Sequence, residues 1–179
     1  MNRVIQWSAI AAGLFAMTLV SPPQARAQFA LSSDAFSAGA TIPDANACTG
    51  ENRSPKLEWN NAPANAVSFA LIVEDPDAPG GTFIHWVAYE VPGSVTSLSA
   101  GIPKLPKIAG GGMQGVNSFG RIGYDGPCPP PGRVHHYHFR LLALDMRLKL
   151  DGEADAAAVQ AAAAGHIVAS AELVGTFSR

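Results

Sequence analysis

The sequence predicts a mainly β fold, a sandwich or barrel, with helix confined to the C-terminal region. Three observations point there. Short runs rich in β-branched and aromatic residues, "VSFALIVED", "HWVAYEVPG" and "YHFRLLALD", are bounded by turn formers. Pro, Gly, Asn and Asp interrupt the rest, with 14 Pro and 18 Gly in 179 residues, a spacing unlike alternating βα units. The strong helical signal comes late, in "DGEADAAAVQAAAAGH".

Taken in order, "MNRVIQWSAIAAGLFAMTLVSPPQARAQ" begins with a basic Arg3, runs apolar from Val4 to Val20, and ends in Ala25-Arg26-Ala27. This is the layout of a secretory signal peptide over residues 1–27, leaving one domain over 28–179. The apolar run falls short of the roughly 20 residues that span a bilayer, so stable membrane insertion after cleavage is not expected. No Cys follows the cleavage site, which argues against a lipid anchor. The strands over 67–75 and 85–93 come next. Residues 92–132 have no sustained period but carry Leu105, Ile108, Phe119 and Tyr124, so they read as ordered loops laid across the sheets. After the third strand, the alanine tract should form a helix with Asp and Glu in its first turn and Gly165 as its stop. "HIVASAELVGTFSR" should then give a short helix or turn and a last strand.

Charge excludes one class of partner. Of the 12 basic side chains, Arg3 and Arg26 lie in the leader, so 10 remain against 14 acidic, a net charge of −4. No broad surface would attract nucleic acid. Export to a periplasmic or secreted location allows Cys48 and Cys128 to form a disulfide, and closing that 80-residue separation would contribute about 4–5 kcal/mol in the chain-entropy treatment.

Three polar clusters could carry function. In "HHYH", residues 135–138, side chains alternate along a strand, so His135 and Tyr137 share one face and His136 and His138 the other. The spacing of His136 and His138 is that by which cupin-type barrels present two imidazoles to a metal, yet no carboxylate follows before Asp145, and no metal site or cofactor is expected. "EDPDAPGGTFIHW" places Asp75 and Asp77 on a turn stiffened by Pro76 and Pro79, with His85 in the next strand. That pair could serve as acid and base, bind a cation, orient imidazoles, or only cap the turn. "GRIGYDGPCPPPG" is a loop in which Gly126 and Cys128 could offer amides to an anion, or a ligand-free proline-rich surface.

Together these pieces resemble the phosphatidylethanolamine-binding protein family, also called the Raf kinase inhibitor-like family, in its bacterial branch. "CTGENRSPKLEW", "SFALIVEDPDAPGGTFIHWVAYEVP", "GVNSFGRIGYDGPCPPPGRVHHYHFRLLALD" and "AELVGTFSR" occur in family order. The resemblance implies a two-sheet antiparallel β-sandwich with a few short peripheral helices near the C-terminus. It also implies an anion pocket built from Asp75, Asp77, His85, Gly126, Pro127, His135 and Tyr137, leaving His136 and His138 outside. The stretch before His85 lacks the extra aromatic and histidine of eukaryotic relatives, so headgroup preference does not carry over.

The expected function is therefore a secreted, non-catalytic binding protein for small phosphorylated, anionic or zwitterionic ligands such as phosphate or phosphoethanolamine. Asp75 and Asp77 would be reconciled with an anion either by pairing with His85 or His135, which favours imidazolium, or by meeting a ligand ammonium. A protein-interaction or protease-inhibitor module, with an unidentified protein partner, is one alternative. A hydrolase using the Asp/His pocket is another, against which stands the lack of a G-x-S-x-G elbow.

Overall fold

The computed structural model describes residues 27–150 and 152–179, so the leader read over residues 1–27 lies, apart from Ala27, outside the described residues. Among the described residues, eight strands form two antiparallel sheets. The smaller has the order β1 (Ala30–Ser33), β2 (Leu57–Asn60), β5 (Ser97–Leu98); the larger has β6 (Met113–Gln114), β4 (Phe83–Pro92), β3 (Ser68–Asp75), β7 (His135–Leu144), β8 (Ile167–Phe177).

β3 explains the layering. It lies between β4 and β7 and buries all eight of its residues, as a nearly continuous apolar run must when both sheet faces are covered. Phe69, Leu71 and Val73 face the small sheet and join Leu31, Leu57, Trp59 and Leu98 in the inter-sheet core. Ala70 and Ile72 face the other way, where Val159 and Ala163 of α1 (Ala156–Ala163) cover them together with Leu142, Leu144 and Leu148. The sandwich expected from the resemblance is thus present, with a helix closing the second face of its larger sheet.

The three strands read from the sequence are there as β3, β4 and β7. Residues 92–132 are mostly loop but contain β5 and β6, two-residue strands too short to leave a period. Gln114 holds this region: its amide donates to the Pro103 and Leu105 carbonyls, both at 2.7 Å, and its oxygen accepts from Trp86 Nε1 at 2.8 Å. Two expectations need correcting. The helix has no acidic residue in its first turn, because Asp155 is the N-cap, its carboxylate accepting from Ala158 N at 2.8 Å, while Glu153 precedes it. The segment after Gly165 has no second helix; residues 167–177 form the 11-residue β8, because pairing along β7 from Leu144 back to His135 outweighs the weak local preference of "IVASAEL".

Candidate functional site

Strand register assembles the site at one end of the inter-sheet layer. On β7, His135, Tyr137 and Phe139 are buried while His136 is exposed and His138 only partly covered, as alternation predicts. His135 and Tyr137 therefore continue the core face of their strand toward its open end. Opposite Tyr137 on β8 stands Gly175, where a Cβ would come within 2.6 Å of Ile42 and 2.7 Å of Phe36.

His85 arrives by a different route. On β4 the partners run Val73–Trp86 and then Glu74–Ile84, so His85 is an extra residue, a β-bulge. Trp86 packs into the inter-sheet core and Ile84 against the helix side, which an unbroken strand would not allow for residues two apart. The bulge turns His85 inward, and its ring meets Tyr137 edge-on with centroids 5.2 Å apart.

Asp75, His85 and His135 thereby line one cavity of about 260 Å³, closed by Ala78, Pro79, Phe83, Phe119, Cys128, Pro129 and Pro130. Phe83 and Phe119 stack edge-to-face at 4.8 Å along its apolar side. A larger hollow of about 330 Å³ between residues 95 and 111 has no titratable side chain in its wall.

Both imidazoles are held by Nδ1. That of His85 lies 2.7 Å from the Asp125 carbonyl, which can only accept, so Nδ1 carries the proton and Nε2 remains for a ligand. His135 Nδ1 lies 2.7 Å from Asp75 Oδ2, and both side chains are about 95% buried. The second Asp75 oxygen accepts from Asp77 N at 2.9 Å. Burial lowers the His85 pKa below its usual value; the Asp125 carbonyl and the Asp75 charge oppose this and do not reverse it. Of the two imidazoles proposed to pair with a carboxylate, only His135 does so.

Tyr137 Oη is one of two buried side-chain polar atoms that lack a hydrogen-bond partner among the described residues; the other is Trp59 Nε1 in the core. Burial, followed by the Asp75 charge and a hydrogen-bonding interaction with the Asp75 side chain that falls short of full geometry, raises the Tyr137 pKa, so the phenol is a neutral donor at any physiological pH.

The other expected site residues stand differently. Asp77 is exposed and points away, its Oδ2 accepting from His136 N at 2.9 Å and pairing with His136 Nδ1 at 2.7 Å. The two carboxylates of the turn thus take the two adjacent histidines, one on each face of β7. The His136 bonds hold the Asp77 pKa below the ordinary carboxylate range. Gly126 and Pro127 shape the wall from behind. Gly126 N, expected to offer itself to an anion, instead donates to Asn52 Oδ1 at 2.7 Å, and the Pro127 carbonyl accepts from Cys48 N at 3.0 Å. A Cβ on Gly126 would lie 2.1 Å from the Asn46 carbonyl oxygen, so glycine is needed there for close backbone approach. Cys48 and Cys128 are bridged, which ties the 44–53 segment to the pocket loop.

Sequence reasoning missed the residue that fixes His85. Asp125 is buried, its side chain 1% exposed. Its Oδ1 takes Lys104 Nζ at 2.6 Å and Asn52 Nδ2 at 3.0 Å; its Oδ2 takes Asn117 Nδ2 at 2.9 Å and Arg121 Nε at 3.1 Å. Burial alone would raise its pKa, but the bonds from Lys104, Asn117 and Asn52 outweigh it and the net shift is downward. The only available signal was an acid inside "GYDGPC", which turn chemistry alone would also explain. Among the described residues no three metal-ligating side chains converge; His136 and His138 bond to Asp77 and Glu172.

A family model described as phosphatidylethanolamine-binding protein matches residues 32–178. A UPF0098 protein of Methanothermobacter thermautotrophicus is 43% identical over 149 residues, covering 83% of this chain and 98% of the relative. A Mycobacterium tuberculosis protein named as a candidate lipoprotein, LppC, is 40% identical over 159 residues, covering 88% of this chain and 76% of the relative. The crystal structure of a Chlamydia trachomatis protein, described as a candidate phosphatidylethanolamine-binding protein homologue, superposes with a TM-score of 0.78 at 39% identity, covering 85% of this chain and 98% of that one.

Proposed function

Since the chain belongs to the phosphatidylethanolamine-binding protein family, we propose that it is an exported, non-catalytic binding protein whose Asp75–His85–His135–Tyr137 pocket takes a small phosphorylated ligand, either free phosphate or a zwitterionic headgroup such as phosphoethanolamine. The observation that carries this reading is the convergence of Asp75, His85 and His135 on one cavity, with the Tyr137 hydroxyl, a neutral donor that lacks a well-aligned partner and interacts with Asp75, buried behind His85. An unpaired buried hydroxyl costs about 1–3 kcal/mol. A ligand oxygen would remove that penalty.

The carboxylate in the pocket does not oppose an anion. Both Asp75 oxygens are already bonded, one to Asp77 N and one to His135 Nδ1, which leaves His135 Nε2 for the ligand. His85, neutral at pH 7, offers Nε2 as an acceptor to a protonated phosphate oxygen or an ammonium, and becomes a second donor as pH falls. Affinity for an anion should therefore rise on acidification. The Cys48–Cys128 bridge and the name of the mycobacterial relative fit export.

Tyr137→Phe tests the reading, because it moves two quantities in opposite directions. Removing an unpaired buried hydroxyl should leave the free protein as stable as wild type or about 1 kcal/mol more so, while weakening phosphate and phosphoethanolamine binding about tenfold in titration calorimetry. Equal affinity in wild type and variant from pH 5 to 8, or loss of stability matched to loss of affinity, would sink the proposal.

A further inference from the structure

Arg179, two residues beyond β8, is held against the pocket by bonds that neither strand pairing nor core packing requires. Its Nε donates to the Pro129 carbonyl at 2.7 Å, and its own carbonyl accepts from Gly132 N at 3.2 Å. These two bonds clamp it across the 129–132 loop, and Pro129 is part of the cavity wall. Because Nε is taken, the two Nη groups remain, and no carboxylate pairs with them among the described residues. Of the other cations near the pocket, Lys104 and Arg121 both bond to Asp125 and Arg140 to Glu74 and Glu172, while Arg133, in the same loop, is exposed and held by none of these bonds. Arg179 is exposed and is not itself one of the residues lining the cavity, but its charge reaches Tyr137, where it opposes the upward pKa shift that burial and Asp75 impose on the phenol.

From this geometry we infer that Arg179 is the specificity-determining cation of the pocket, its Nη groups meeting the phosphate oxygens of a ligand seated between His85, His135 and Tyr137. The inference rests on the phosphorylated-ligand reading above. It assigns the discrimination between phosphate-bearing and neutral ligands to a residue outside the histidine and aspartate cluster. A guanidinium suits this role because it is permanently charged and presents paired donors to phosphate oxygens. Pinning Nε to a wall carbonyl orients that fork before the ligand arrives. Because the guanidinium stays charged across this range, some phosphate affinity should persist at pH 8.

Wild type, Arg179→Gln, Arg179→Lys and Arg133→Gln should be titrated with inorganic phosphate and with phosphoethanolamine at pH 7. Arg133 is exposed in the same loop and makes none of these bonds, so its variant carries the same change of net charge without the fixed position. Arg179→Gln should weaken both ligands about tenfold, Arg179→Lys should recover part of that loss, and Arg133→Gln should change affinity less than twofold. The ligand that wild type binds more tightly, free phosphate or phosphoethanolamine, identifies the preferred source. The inference fails if Arg179→Gln binds like wild type. It fails also if Lys loses as much as Gln, which would make the Pro129 bond a loop brace, or if Arg133→Gln loses as much, which would make the effect a diffuse field. Wild type that binds neither ligand overturns the phosphorylated-ligand reading itself, and this one with it.

Discussion

Replacing Asp125 by Asn is the sharpest probe of how the pocket is held together. The carboxylate takes four donors, two on each oxygen. In Asp125→Asn one oxygen becomes an NH₂ facing two donors, whichever way the amide is turned. Lys104 and Arg121 are 39% and 56% exposed and can turn to water, so each loss is worth about 0–1 kcal/mol. The asparagine donors have less escape, Asn117 being buried and Asn52 half-buried, and one unpaired buried donor costs about 1–3 kcal/mol. The sum is about 1–4 kcal/mol, or roughly 3–15 °C in Tm for a domain of this size. Urea unfolding with the disulfide intact measures it. The pH dependence supplies a second reading. Asp125 has a folded pKa below its ordinary value, so its stabilisation is present above about pH 4 and is lost as pH falls through the folded pKa. The gap between wild type and variant should be full at pH 7 and close toward pH 2. A gap under about 0.5 kcal/mol at pH 7, or one that stays constant into acid, would refute the reasoning.

The His85 ring should titrate below pH 6.5 by NMR in the free protein and move upward when phosphate is added; because the folded state disfavours its proton, this group lowers stability as pH falls from about 6.5 toward the folded pKa, and a ring titrating above 6.5 would contradict that. Reducing the Cys48–Cys128 bridge, which closes an 80-residue separation, should lower stability by about 4–5 kcal/mol and move the urea midpoint accordingly; an unmoved midpoint would mean the loop is held by its other contacts alone. His136→Ala and His138→Ala should each cost under about 1 kcal/mol and leave phosphate affinity within about twofold, since both rings lie outside the cavity in exposed pairs with Asp77 and Glu172. A tenfold loss in either would place that face of β7 in the binding site.

Much of this was legible along the chain wherever the controlling interaction is local or periodic. Alternation in "HHYH" separates His135 and Tyr137 from His136 and His138 without any knowledge of neighbours, because successive side chains on a strand must point to opposite faces. Gly165 ends the helix as expected, with φ at +80°, a conformation open to glycine. The apolar run of β3 and the turn chemistry of "DPDAPGG" likewise need only neighbours in sequence.

What stayed hidden depends on register and on contacts across many residues. That Asp75 takes His135 while Asp77 takes His136 follows from how the turn after β3 meets the start of β7, some 60 residues later. Simple alternation along β4 would set His85 apart from Trp86, and only the bulge against β3 turns it into the pocket. The Gly126 amide, which looks free in the sequence, is taken by Asn52 from 74 residues away. Asp125 and Arg179 showed no local sign of their contacts, since their partners come from separate loops. The sequence by itself determined the two-face division of β7, the principal strands and the residue types available to the pocket, because these follow from the geometry of neighbouring residues. Only the tertiary structure decided which carboxylate serves which histidine and which cation stands at the wall, because long-range pairing fixes those distances and a strand can shift its register without changing a letter of its sequence.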